Sequence, residues 1–88
     1  MNILSDYDIN IDNINTELKE DMINNINLVK LNLDYLNSLG IKDIKEIFKR
    51  YYPMFLMDNS NFTNIFNKYD KKDLLDKISK NITIIEHL

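Results

Sequence analysis

The apolar positions of this chain change period once, near residue 13, and after that the period is helical to the end. Between Tyr7 and Ile11 the apolar side chains alternate with Asp8 and Asn10. Period two predicts a short extended arm or a short strand. From about Asn13 the apolar residues fall at steps of three and four: Ile14, Leu18, Met22, Ile26 and Val29. That spacing predicts an amphipathic helix, and the weak helix formers Asn24 and Asn25 predict a break or kink within it. From Leu28 the chain is apolar on nearly all sides, through Val29, Leu31, Leu33, Tyr35, Leu36 and Leu39. Such a helix is expected at the centre, covered by its neighbours.

The only glycine, Gly40, follows Leu36 and Leu39, and the only proline is Pro53. Glycine lacks the Cβ that penalises positive φ, so Gly40 is expected to end the central helix. Ile41, Ile44, Ile47, Phe48 and Tyr51 then form one buried stripe. Lys42, Lys45, Lys49 and Arg50 fall mostly on the opposite side. Pro53 stops this helix and biases Tyr52 toward extended geometry. Beyond it, Asp58 and Asp70 are expected helix caps. Met57 with Phe62, and Tyr69 with Leu74, are their hydrophobic staple pairs. Phe62, Ile65 and Phe66, then Leu74, Leu75 and Ile78, are the buried faces. Asn81 either ends the last of these helices or caps one carrying Ile82, Ile85 and Leu88. The expected fold is all-α, a compact bundle of five to six short helices (residues 13–88) with a short extended N-terminal arm (residues 1–12).

Composition narrows this further. A chain of 88 residues is expected to be one domain, burying a little over roughly 60% of its unfolded surface. Hydrophobic residues make up 44%, with five Tyr and four Phe, which argues against disorder. One Gly and one Pro argue against an all-β fold with its many turns. The abundance of Asn and Ile reads as the mark of an AT-rich genome, and it produces two glycosylation-type sequons, at Asn61 and Asn81. The opening MNILSDYD has no signal-peptide pattern, no run reaches membrane-span length, and cysteine is absent. These point to a cytoplasmic protein without disulfides. Net charge is −3, split as seven acidic and two basic residues up to position 39 and seven acidic and nine basic after it. The split allows head-to-tail self-association or an acidic partner, but ordinary solvated helix faces account for it better.

The stretch from Leu36 to Phe55 resembles a single repeat of the mitochondrial transcription termination factor family, in which a Leu-Gly turn joins two helices and a proline follows. It is also similar to the first half of a helix-hairpin-helix element, although Gly40 stands alone where that element has a Gly-x-Gly type hairpin. Both families contact nucleic acid. The resemblance therefore implies a nucleic-acid alternative on Lys42, Lys45, Lys49 and Arg50, and it assigns the chain to neither family.

Catalytic chemistry finds little support. Asp6, Asp8, Asn10 and Glu17 fall at positions 1, 3, 5 and 12 of a calcium loop. Ile11 occupies the sixth position, which demands glycine, so no metal site is expected. His87 is a lone histidine, expected at the surface. Asp70, Asp73 and Asp76 share a helix flank, where capping and solvation explain them. No phosphate loop or nucleophile motif is present, so neither enzyme activity nor a cofactor is expected. The expected function is a protein–protein interaction domain that binds a partner or itself through an apolar patch. Tyr52, Met54, Phe55, Leu56 and Met57 are its candidate residues. Alternation along an extended run predicts that either Phe55 and Met57 or Met54 and Leu56 are buried, leaving the other pair at the surface beside Tyr52. The acidic side of Glu17, Glu20 and Asp21 is the next candidate. A folded fragment of a longer helical-repeat protein is a third reading.

Overall fold

In the computed structural model, which describes Tyr7, Ile9 and residues 16–88, the chain is all-α and no described residue lies in a strand. The helices are α1 (Thr16–Asn24), α2 (Ile26–Ser38), α3 (Ile44–Tyr51), α4 (Asn59–Asn67) and α5 (Lys71–Lys80). Two 3-10 segments, η1 (Tyr52–Leu56) and η2 (Ile82–His87), follow α3 and α5. The radius of gyration is 12.6 Å, against about 12 Å for a compact chain of this length.

Local chemistry sets most of the boundaries. Asn25 separates α1 from α2 with φ −119° and ψ 29°. Its side-chain amide donates to the Asp21 carbonyl at 2.9 Å, so it competes with the helix ladder at the position where the helix breaks. Gly40 has φ +89°. Its N–H donates to the Asn37 carbonyl at 3.0 Å, as the residue after a helix end does in a Schellman turn. Asp58 caps α4 by accepting from the Ser60 N–H, and Asp70 caps α5 by accepting from the Asp73 N–H, both at 3.2 Å. Asn81 serves both roles. Its N–H donates to Lys77 at the end of α5, and its side-chain oxygen accepts from the Thr83 N–H of η2.

The segment past Pro53 departs from expectation. Tyr52 is helical, with φ −57° and ψ −31°, and Tyr51 makes the break at φ −129°. Pro53 lies in the first turn of η1, where a missing N–H costs nothing. The chain therefore coils instead of extending, and the burial period becomes three, because side chains at i and i+3 eclipse in a 3-10 turn. Tyr52 and Phe55 point the same way, and both pack on Phe48 with ring centroids 6.4 and 5.1 Å apart.

Phe55 sits in the middle of an aromatic row that forms the core. It lies 5.2 Å from Phe62, which lies 5.3 Å from Phe66, and Tyr35 closes the row against both. These separations are in the range favoured by aromatic pairs. Met22, Val29, Leu33, Leu36, Ile47, Leu74 and Ile78 belong to the same buried cluster, as does Ile9. Tyr7 lies in a 3-10 turn and donates its hydroxyl hydrogen bond to Asp34 of α2. The rest of residues 1–12 lies outside the described residues.

Helix α2 touches α1, α3, η1 and α4, so it is central. It is not covered all round, as its apolar sequence suggests. Leu31 is 51% exposed and Leu28 half-buried, because the neighbours occupy only the side carrying Val29, Asn32, Leu33 and Leu36.

Asn32 is the buried polar residue on that side. Its amide nitrogen donates to the carbonyls of Phe55 and Met57, each at 3.0 Å. Its oxygen accepts from the side-chain amide of Asn59 at 2.9 Å. The carbonyls at the end of η1 thus find donors from α2 instead of water.

Two substitutions test this account. Gly40→Ala meets no clash, since the nearest atom to a new Cβ is Leu75 Cδ1 at 3.7 Å. Its cost is that of the left-handed backbone alone, about 1 kcal/mol. A neutral effect in urea unfolding would show that the turn is built otherwise. Asn32→Ala leaves two carbonyls and one amide unpaired and should lower stability by about 3 kcal/mol. A loss below about 1 kcal/mol would mean that water replaces the amide without penalty.

Candidate functional site

The five residues expected to form a partner patch divide in the structure. Phe55 is 0% exposed and belongs to the aromatic row, so it is unavailable to a partner. Tyr52, Met54, Leu56 and Met57 are half-buried and pack against the core from outside. Neither expected pairing holds. A five-residue 3-10 segment does not alternate, and of the five candidates Phe55 alone is fully buried.

The surroundings of these residues are poor in charge. Between Tyr51 and Asn67 the only charged side chain is Asp58, and its carboxylate is engaged in capping α4. Helix α4 carries no charge along its length, and its exposed side presents Ser60, Asn61, Asn64 and Asn67. This neutral surface continues onto α2. The Tyr35 hydroxyl donates to the side-chain oxygen of Asn67 at 2.5 Å, and Thr63 supplies a longer contact through its carbonyl. Burial raises the pKa of that Tyr35 hydroxyl. Leu31 lies one helical turn from Tyr35, and Leu28 one turn from Asn32, whose amide holds the Met57 carbonyl. Leu28, Leu31 and Tyr35 therefore share the edge of α2 that borders α4 and the end of η1.

The charges nearest this edge pair with each other. Lys30 Nζ lies 3.2 Å from the Asp34 carboxylate and 5.9 Å from the centre of the Tyr7 ring. The Tyr7 hydroxyl bond is the main cause that holds the Asp34 carboxyl below the usual carboxylate range. Desolvation opposes it, and Lys30 reinforces it. These interactions attach the described part of the arm to the rim of the neutral face.

The basic residues are less united than their spacing suggests. Lys45 and Lys49 share one flank of α3, with Lys42 in the turn just before it. Arg50 lies on the other flank, with its Nε 3.0 Å from Glu46. At the C-terminal end of α3 the Tyr51 hydroxyl pKa is raised, first by burial and then by its hydrogen bond to Glu86 of η2. A hollow of about 400 Å³ lies between the Gly40–Asp43 turn and Leu75, Asp76, Ile78 and Ser79 of α5.

The remaining polar candidates have structural roles or lie outside the description. Asp70 caps α5, and Asp76 pairs with Lys80 at 3.0 Å, so the three aspartates do not converge. His87 and Glu17 are exposed. Asp6, Asp8, Asn10 and Ile11 lie outside the described residues. Among the described residues no three His, Cys, Asp or Glu side chains group as a metal site would need. No described helix is long and apolar enough to cross a membrane. Comparison with protein-family models, with curated proteins and with solved structures finds no match.

Sequence reasoning missed the exposed Leu31, the buried Asn32 and the neutral outer side of α4. A signal for the last was present in the uncharged run on either side of Asp58, in a chain where 28% of residues are charged.

Aspartate placed singly along η1 tests the burial pattern. Phe55→Asp should abolish the cooperative unfolding transition, because it buries a charge at the centre of the core. Met54→Asp and Leu56→Asp should retain the helical circular dichroism signal and lose about 1–2 kcal/mol. A folded Phe55→Asp protein would remove Phe55 from the core.

Proposed function

We propose that this chain is a small, non-enzymatic protein–protein interaction domain. It binds through the charge-poor face that runs from Met54, Leu56 and Met57 of η1 onto α4 and the Leu28–Tyr35 edge of α2. The observation that supports this most is the coincidence of half-exposed Met, Leu and Tyr side chains with a surface almost free of charge. Centres of protein interfaces are depleted in charge and enriched in Met and aromatic residues. Such side chains are large and adaptable, and they lose little when water leaves them.

A second reading has its own support. Lys42, Lys45 and Lys49 are exposed and close in sequence around the start of α3, which suits contact with a nucleic-acid backbone. Asp43 and Glu46 lie among them, and the net charge of −3 works against this reading.

The two are separated by nuclease-treated capture from the native host, comparing the wild-type chain with folded Leu56→Asp and Lys49→Glu variants. A protein retained by the wild type and by Lys49→Glu, lost by Leu56→Asp, and held at high salt is the expected result. Loss with Lys49→Glu and a steep fall in affinity with salt would favour nucleic acid instead.

A further inference from the structure

We propose that the α2–α4 side of this face pairs with the same face of a second copy of the chain, about a twofold axis. The proposal rests on the interaction reading above and names the partner. Its basis is the chemistry of α4. The exposed residues of that helix are Ser60, Asn61, Asn64 and Asn67, all neutral. A carboxamide carries both donors and an acceptor, so a surface of amides can satisfy itself against an identical surface. In an isologous contact the same patch meets itself: where residue i touches residue j, j also touches i, and residues on the axis meet their own copies. Such a contact on the acidic start of α1, on the lysines of α3 or on those of α5 brings like charges together. On α4 it does not.

Leu31 gives the contact an apolar centre. It is 51% exposed, a large residue uncovered on an otherwise central helix, and it lies one turn from Tyr35, which is bonded to Asn67. Lys30 and Asp34 are paired at the rim, so neither charge has to be stripped of its partner when the face closes. A nine-residue helix is about 13 Å long. Two such helices side by side with their α2 edges make an interface smaller than the standard specific contact of about 800 Å² per partner. The expected dimer is therefore reversible.

Sedimentation of the full chain across the micromolar to millimolar range tests this. The weight-average mass should rise from 10.5 kDa toward twice that value, and added salt should change the midpoint little. Leu31→Lys and Asn64→Lys replace exposed residues and should stay monomeric with unchanged circular dichroism. Lys49→Glu, on α3, should associate like the wild type. A wild-type chain that stays monomeric throughout overturns self-pairing. The capture experiment reads the interaction function independently, so the two failures are distinguishable. Association that survives both lysine variants, or that salt or Lys49→Glu disrupts, places the contact elsewhere and also overturns the proposal. Should a lysine variant lose its helical signal, an equal mixture of isotope-labelled and unlabelled wild-type chains replaces it. Intermolecular contacts from Leu31 or the Asn64 amide uphold the pairing, and contacts confined to other elements refute it.

Discussion

Three hydrogen bonds from one buried amide tie the middle of the chain to its central helix. Asn32 holds the carbonyls of Phe55 and Met57 and receives the amide of Asn59. The end of η1 and the start of α4 are both fixed against α2 by this one side chain. A buried polar group is costly unless its partners are all in place, so it specifies one arrangement and penalises the rest. Once η1 is held there, Phe55 has one direction to point, into the row formed by Phe48, Phe62 and Phe66. The aromatic core and the polar clamp thus hold the same 3-10 turn, one through the Phe55 ring and the other through its carbonyl.

The outer surface follows from the same constraint. With Phe55 drawn inward, Met54, Leu56 and Met57 remain at the boundary between core and water. With Asn59 turned toward Asn32, the rest of α4 presents its neutral residues outward. The Tyr35–Asn67 bond then joins that surface to the uncovered edge of α2. The result is a face with apolar and amide groups in the middle and the Lys30–Asp34 pair at its margin. Its composition resembles the centre of a protein interface more than a solvated helix flank. The basic flank of α3 is mixed by comparison, because Arg50 is engaged with Glu46.

Much of the fold was legible from residue order because it depends on neighbours within a turn or two. Gly40 ends α2 because only glycine takes φ +89° without strain. Asp58, Asp70 and Asn81 cap because a short oxygen-bearing side chain reaches the free N–H groups just ahead of it. Asn25 breaks the first long apolar segment because its amide bonds back to Asp21. The three- and four-residue stripes then predict which side of each helix is buried, and Val29, Leu36, Ile47, Phe62 and Ile78 are buried as those stripes require.

What residue order left open are the choices made by residues far apart in the chain. Pro53 marks the end of α3, but extended chain and a 3-10 turn are both open to the residues after it. The turn is favoured by Asn32, more than twenty positions earlier, and by Phe48 and Phe62 on either side of Phe55. Leu31 and Leu33 are equally apolar, yet one is half exposed and the other buried, because neighbouring elements pack on only one side of α2. The neutrality of α4 is written in its sequence, but its meeting with Leu31 and Tyr35 on one face is a product of packing. The chain by itself determined an all-α fold, its caps and its stripes, since these are local balances of hydrogen bonding and backbone strain. The tertiary structure decided which apolar residues stay at the surface, since burial belongs to the neighbours that cover a side chain and not to the side chain alone.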